Sequence, residues 1–99
     1  MYLKIHETST SRVIAACDED LLGKVFEEGK KELNLKTYAH FYKGLSFSEK
    51  EFVESLKKPF SSLNLVGKET ISLAIKLKLC TKQDIKTISS IPYVQVYKL

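Results

Sequence analysis

Apolar and polar residues alternate at the start of the chain. In Tyr2 to His6, Leu3 and Ile5 lie between Tyr2, Lys4 and His6, the period-two pattern of a half-buried strand. The polar run Thr8-Ser9-Thr10-Ser11 reads as a turn. Arg12 to Cys17 has an unbroken apolar middle, which predicts a central strand buried on both faces. The chain therefore opens as a β-hairpin. From Asp18 the spacing changes. Leu22, Val25, Phe26, Gly29 and Leu33 recur every three or four residues and form one helical stripe. Asp18 suits the N-cap of such a helix, and Glu19 and Asp20 suit its first turn, where the helix dipole favours carboxylates. A helix is predicted to about Leu33, with Gly29 allowing it to pack closely on a sheet.

Alternation returns in Leu35 to Tyr42, where Thr37, Ala39 and Phe41 oppose Tyr38, His40 and Tyr42. This predicts a strand ending at Gly44. Ser48 with Glu51 forms a capping box that opens a short helix, with Phe52, Val53 and Leu56 as its apolar positions and Pro59 as its stop. Ser61 to Val66 reads as a short strand or extended segment. Gly67 leads into a helix through about Lys78, with Ile71, Ala74 and Ile75 on one face. Thr81 to Asp84 repeats a capping pattern, and Pro92 precedes a final strand, Tyr93 to Lys98.

The predicted order is β-β-α-β-α-β-α-β. This is an α/β (mixed α+β) arrangement, with a mixed sheet and about three helices in one domain over residues 1–99. A parallel crossover through the first helix fits it, with right-handed connectivity. No internal repeat or linker interrupts the pattern.

Composition adds class limits. Hydrophobic residues are 43% and charged residues 28%, ordinary globular values that exclude disorder. The longest apolar run is Val13 to Cys17, too short for a transmembrane helix. The first residues lack the basic start and apolar stretch of a signal peptide. The expectation is a soluble cytoplasmic protein that makes no membrane contact. Cys17 and Cys80 lie far apart among aliphatic residues and read as buried thiols rather than a disulfide framework.

Charge divides the chain. Residues 1–54 hold eight Lys/Arg against ten Asp/Glu, a balance of −2, while residues 55–99 hold eight Lys against Glu69 and Asp84, a balance of +6. A basic C-terminal half suits an anionic partner such as RNA or an acidic protein surface. A solvated lysine coat is the competing reading.

Three groups of residues carry candidate chemistry. All five tyrosines, Tyr2, Tyr38, Tyr42, Tyr93 and Tyr97, fall on the strand phase opposite the aliphatic residues, together with Lys4, His6, His40 and Gln95. On neighbouring strands they would form an aromatic platform of the kind that stacks single-stranded RNA bases. Half-buried packing with wet hydroxyls is the alternative. The turn Asn64 to Gly67, with Lys68 beside it, would offer free amides to a small anionic ligand. Alternatively, Asn64 and Gly67 only shape the turn. Cys17 precedes a predicted helix start, but the carboxylates that follow would raise its pKa, and no Ser-His-Asp pattern accompanies it. The soft ligands His6, His40, Cys17 and Cys80 lack paired metal spacing. No enzyme, metal or cofactor is expected.

Two blocks and a closing strand then resemble a known family. Val13-Ile14-Ala15-Ala16-Cys17-Asp18-Glu19-Asp20-Leu21-Leu22-Gly23-Lys24 and Asn64-Leu65-Val66-Gly67-Lys68-Glu69 resemble blocks of the archaeal domain of unknown function 424 family. Ile91-Pro92-Tyr93-Val94-Gln95-Val96 is similar to that family's last strand, with Tyr93 where the family usually carries His. The resemblance implies a small archaeal cytoplasmic α/β protein without an established activity, in the company of translation factors. The expected function is a non-enzymatic RNA-binding or translation-associated module, with RNA or ribosomal components as partners. Its binding residues would be Tyr38, His40, Tyr42, Asn64, Gly67, Lys68, Tyr93, Gln95 and Tyr97. A protein–protein adaptor using the same surface, or anionic-ligand binding at the Asn64–Gly67 turn, are the alternatives.

Overall fold

The N-terminal hairpin forms as its alternation predicts. β1 (Tyr2–Glu7) pairs antiparallel with β2 (Arg12–Cys17), and Thr8 and Ser11 close the turn between them. The computed structural model describes residues 1–98. β2 is central, and Ile14 to Cys17 are buried on both faces. It pairs parallel with β6 (Ser62–Val66), which pairs antiparallel with β8 (Ile91–Tyr97). With β5 (Leu45–Ser46) and β7 (Lys86–Ile88) as short edges, the mixed sheet runs β5-β1-β2-β6-β8-β7.

One face of this sheet is sealed by helices. α2 (Glu49–Ser55) starts at the predicted Ser48–Glu51 capping box, and α3 (Lys68–Lys76) follows Gly67. Their residues Phe52, Ile71, Leu73 and Ala74 close over Leu3, Ile14, Ala16, Leu63, Leu65 and Val94. These apolar layers exclude water, and burying each large apolar side chain stabilises by about 1.5–3 kcal/mol. The Thr81–Asp84 box forms as predicted around a 3-10 turn.

The segment between β2 and β5 differs from the predicted long helix and strand. After a 3-10 turn, Glu19–Leu21, the chain makes a separate hairpin of β3 (Val25–Glu28) and β4 (Lys31–Asn34). Gly29 has φ +62° and begins its two-residue loop, as the first central position of a type II′ turn requires. A Cβ there would touch nothing, so its role is this backbone angle and not close packing. Phe26 pairs with Leu33, and both turn inward. Seven residues separate them, which is also two helical turns. That coincidence produced the helical stripe. Beyond β4, Asn34 Oδ1 accepts from the amides of Lys36 (3.1 Å) and Thr37 (2.8 Å), and this Asx turn breaks the predicted Leu35–Tyr42 strand. The chain then forms α1 (Ala39–Tyr42). The parallel β2–β6 connection therefore carries α2, with no long first helix.

β7 was not predicted. It joins β8 through Ser89 and Ser90, both at positive φ (49° and 68°). Ser89 Oγ donates to the Glu27 carbonyl (2.6 Å), and its amide donates to Glu28 (3.0 Å), which ties this turn to the β3–β4 hairpin. No helix among the described residues is long and apolar enough to cross a membrane.

Candidate functional site

The second face of the sheet is only half covered. Register places Tyr2, Cys17, Val66 and Tyr93 in one row across it, Lys4, Ala15, Asn64 and Gln95 in the next, and His6, Val13, Ser62 and Tyr97 in a third. Over the first row sit Leu21, Leu35, Phe26, Leu33 and Tyr42, a smaller apolar cluster with Cys17 and Val66. α1 covers the β1 side. Phe41 stacks on His6 at 4.5 Å, the His6 Nε2 bonds the Phe41 carbonyl (2.8 Å), and Lys4 Nζ donates to the His40 carbonyl (2.6 Å). The β6–β8 side stays open.

There the hairpin, α1 and the sheet enclose a groove of about 330 Å³. Leu33, Leu35, Phe41 and Tyr42 form its apolar wall, Tyr38 and Asn34 stand on its rim, and Asn64 and Gln95 form its floor. Gln95 Nε2 donates to Asn64 Oδ1 (2.9 Å), and the Tyr97 hydroxyl donates to Gln95 Oε1 (3.2 Å). This chain of bonds fixes the Gln95 amide. The Asn64 Nδ2 donor has no protein partner among the described residues. A second recess of about 180 Å³ continues across β8, between Tyr93, Gln95 and Tyr97 on one side and Asp84 and Lys86 on the other.

The tyrosine platform is thus smaller than the sequence predicted. Tyr2 and the β8 tyrosines share a face, but β2 and β6 separate their strands. Tyr38 and Tyr42 belong to no strand; they flank and form α1 above that face. Tyr38 is 63% exposed and Tyr97 68% exposed, whereas Tyr2, Tyr42 and Tyr93 are partly buried. Burial, with the neighbouring Cys17, pushes the Tyr42 hydroxyl up to about 12. His40 is exposed on α1, where its carbonyl, and not its ring, holds Lys4. Tyr38, Tyr42, Asn64 and Gln95 meet at the groove, and Tyr93 and Tyr97 meet at the adjoining recess.

Gly67 and Lys68 lie elsewhere, at the start of α3, and the predicted anion site there is already filled. The Asp18 carboxylate accepts from the amides of Glu69 (3.0 Å) and Thr70 (2.8 Å) and from Thr70 Oγ1 (2.7 Å). Asp18 is buried, so the chain supplies its own anion to the helix N-terminus. Asp18 therefore caps α3 and not a helix beginning at its own position. Gly67 has φ +108°, and a Cβ there would fall inside the Asp18 carboxylate. Both facts require glycine. Lys68 and Lys76 belong to the helical layer on the sealed face, and Lys76 Nζ pairs with Glu49 (2.8 Å). Of the basic residues in the C-terminal half, Lys86 is the one that lines the open recess.

Cys17 is inert in its setting. Desolvation first, then Asp18 and Asp20, pushes its thiol up to about 12, and the thiol donates to the Asp18 carbonyl. The groove itself could not have been found from periodicity. Its wall comes from the misread segment, and only the Asn64–Gln95 pairing in register places the two amides together.

Residues 6–99 match the model of the protein of unknown function family DUF424. This chain belongs to that family. It is similar in structure to an uncharacterized conserved protein from Methanopyrus kandleri, seen in a crystal structure, with 28% identity and a TM-score of 0.79. The likeness covers 99% of this chain and 90% of that one. No curated protein matches. The family confirms the resemblance carried by the Val13 and Asn64 blocks. Neither match carries an assigned activity.

Proposed function

We propose that this DUF424 protein is a non-enzymatic module that binds single-stranded RNA, with bases held on the open half of the sheet. The observation that supports this is the groove itself. Two exposed tyrosines, Tyr38 and Tyr97, stand beside an apolar recess whose floor is a pair of fixed amides, Asn64 and Gln95. A base stacked on an exposed ring contributes about 1–3 kcal/mol, and side-chain amides can pair with base edges. Lys86 lies within reach of the recess and suits a phosphate. The translation setting rests on the sequence resemblance alone.

Fluorescence anisotropy with a short single-stranded RNA tests the reading. Tyr97→Ala and Tyr38→Ala should each weaken binding about 5- to 150-fold, the equivalent of about 1–3 kcal/mol. The salt slope should stay nearly unchanged, whereas Lys86→Ala should lower it by about one. Absence of RNA binding at low salt would overturn the proposal and leave a protein–protein adaptor on the same groove as the better account.

A further inference from the structure

A third recess lies at the end of the sheet opposite Asp18, between the β1–β2 turn and the chain entering β6. It has a volume of about 530 Å³. Arg12, the single arginine of the chain, borders it, together with Lys58, Ser61 and the hydroxyls of the Thr8–Ser11 turn. The Arg12 side chain is only 10% exposed. Its Nη1 donates to the Ser55 carbonyl at the end of α2 (2.9 Å), which accounts for one of five N–H donors. Its Nε is fully buried and makes no hydrogen bond; the Glu7 carboxylate stands 3.6 Å away, beyond bonding distance. Glu7 is itself 57% exposed, so it is a loose counter-ion that can swing into water. Lys98 Nζ lies over the ring of Phe60, another wall of the recess, at 4.3 Å.

A buried guanidinium is costly unless its charge and donors are matched. Here the match is incomplete: Nε has no hydrogen-bond partner, and the nearest anion, Glu7, is exposed to water at 3.6 Å. Apart from Glu7, the polar groups around it are the Arg12 and Lys58 cations and the hydroxyls of Thr8 to Ser11 and Ser61, the donor set that receives oxyanions, and a guanidinium fork fits phosphate oxygens in particular. We infer that this recess binds a phosphate group, which takes the place of Glu7 on Arg12 and is met by Lys58. This site does not depend on the groove reading, since it uses none of the same side chains. The phosphate could belong to an RNA backbone or be free in solution, and the two sources are separable.

Amide NMR of the full chain, titrated with sodium phosphate against sodium chloride of equal ionic strength, tests the site. Saturable shifts are expected at Thr8 to Ser11 and Ser61. Glu7→Gln should tighten phosphate binding several-fold by removing the competing carboxylate, and Lys58→Ala should weaken it several-fold. Both positions are exposed, so both variants should fold like the parent. Absence of saturable shifts at these amides, or an affinity indifferent to both substitutions, would overturn the inference. A parallel titration with short single-stranded RNA identifies the source. If Lys58→Ala weakens RNA binding as well, the phosphate is the backbone's. If only inorganic phosphate responds, the ligand is a free phosphate and the site stands. Phosphate binding without any RNA binding would sustain this site while refuting the proposed function.

Discussion

The two faces of the central sheet are covered in different ways. On one face, two capped helices lie over the strands, and Phe52, Leu63, Leu65 and Ala74 are wholly inaccessible. On the other, the cover is a hairpin of two four-residue strands and a single turn of helix, which reach the row of Cys17, Val66 and Tyr93 and the β1 side but leave Asn64, Gln95 and Tyr97 open. Strand positions under full cover are aliphatic. Those beyond the reach of the hairpin are Asn64, Gln95 and Tyr97, polar groups that would be expensive to bury unpaired. A short cover thus leaves a polar floor beside an apolar wall, and that step forms the groove.

The comparison can be broken most sharply at Phe52. Phe52→Ala opens a cavity between α2 and the sealed face and should cost about 3–5 kcal/mol, read by denaturant unfolding. A cost below about 1 kcal/mol would mean that this face is not the main source of stability. Asp18→Ala comes next. It strips three bonds from the start of α3 and leaves buried donors, with an expected loss of about 2–4 kcal/mol. If Asp18→Ala bound phosphate at the freed amides without losing stability, the carboxylate would be a plug and not a cap.

Tyr97→Ala should lower RNA affinity while changing stability by less than about 0.5 kcal/mol, since its ring is largely exposed. An equally large loss of stability would mark Tyr97 as part of the fold. Alkali probes the half-covered face most strongly, although burial also pushes up the Cys80 thiol on the sealed face. Cys17 and Tyr42 are both raised to about 12, from ordinary values of 9.0 and 10.0. The unfolded chain releases these protons first, so stability is whole below pH 9 and declines as pH rises from 9 towards 12. The slope is about 1.4 kcal/mol per pH unit for each group that differs. Cys17→Ala should flatten the start of that decline in a series of melts. The smallest effect is at the β7–β8 turn. Ser90→Gly relieves a positive φ and should be neutral or stabilise by up to about 1 kcal/mol in thermal melts.

Much of the sealed face was legible in the chain. Local signals there agree with the tertiary outcome: the Ser48–Glu51 box, the turn at Gly67, and the aliphatic alternation of β1 and β8. The open face was not legible. Leu22 to Leu33 satisfies a helical stripe and an inward hairpin pair equally well, and Gly23 at φ +89° with Gly29 decided for the hairpin. Tyr38, His40 and Tyr42 alternate like a strand, but the Asn34 side chain captures the Lys36 and Thr37 amides and turns the chain into α1.

By itself, the sequence determined the mixed α+β class, the family, the hairpin and central strand at its start, and the helices that follow Ser48 and Gly67. Each of these rests on signals within a few residues of one another, or on aliphatic periods that any burial preserves. Tertiary structure alone decided which helix Asp18 caps, which amides lie side by side, and how far the cover reaches. Asp18 and Thr70 are distant in sequence, as are Asn64 and Gln95. Such pairs exist only once strand order and register bring β2, β6 and β8 together, because no local propensity specifies a contact across that separation.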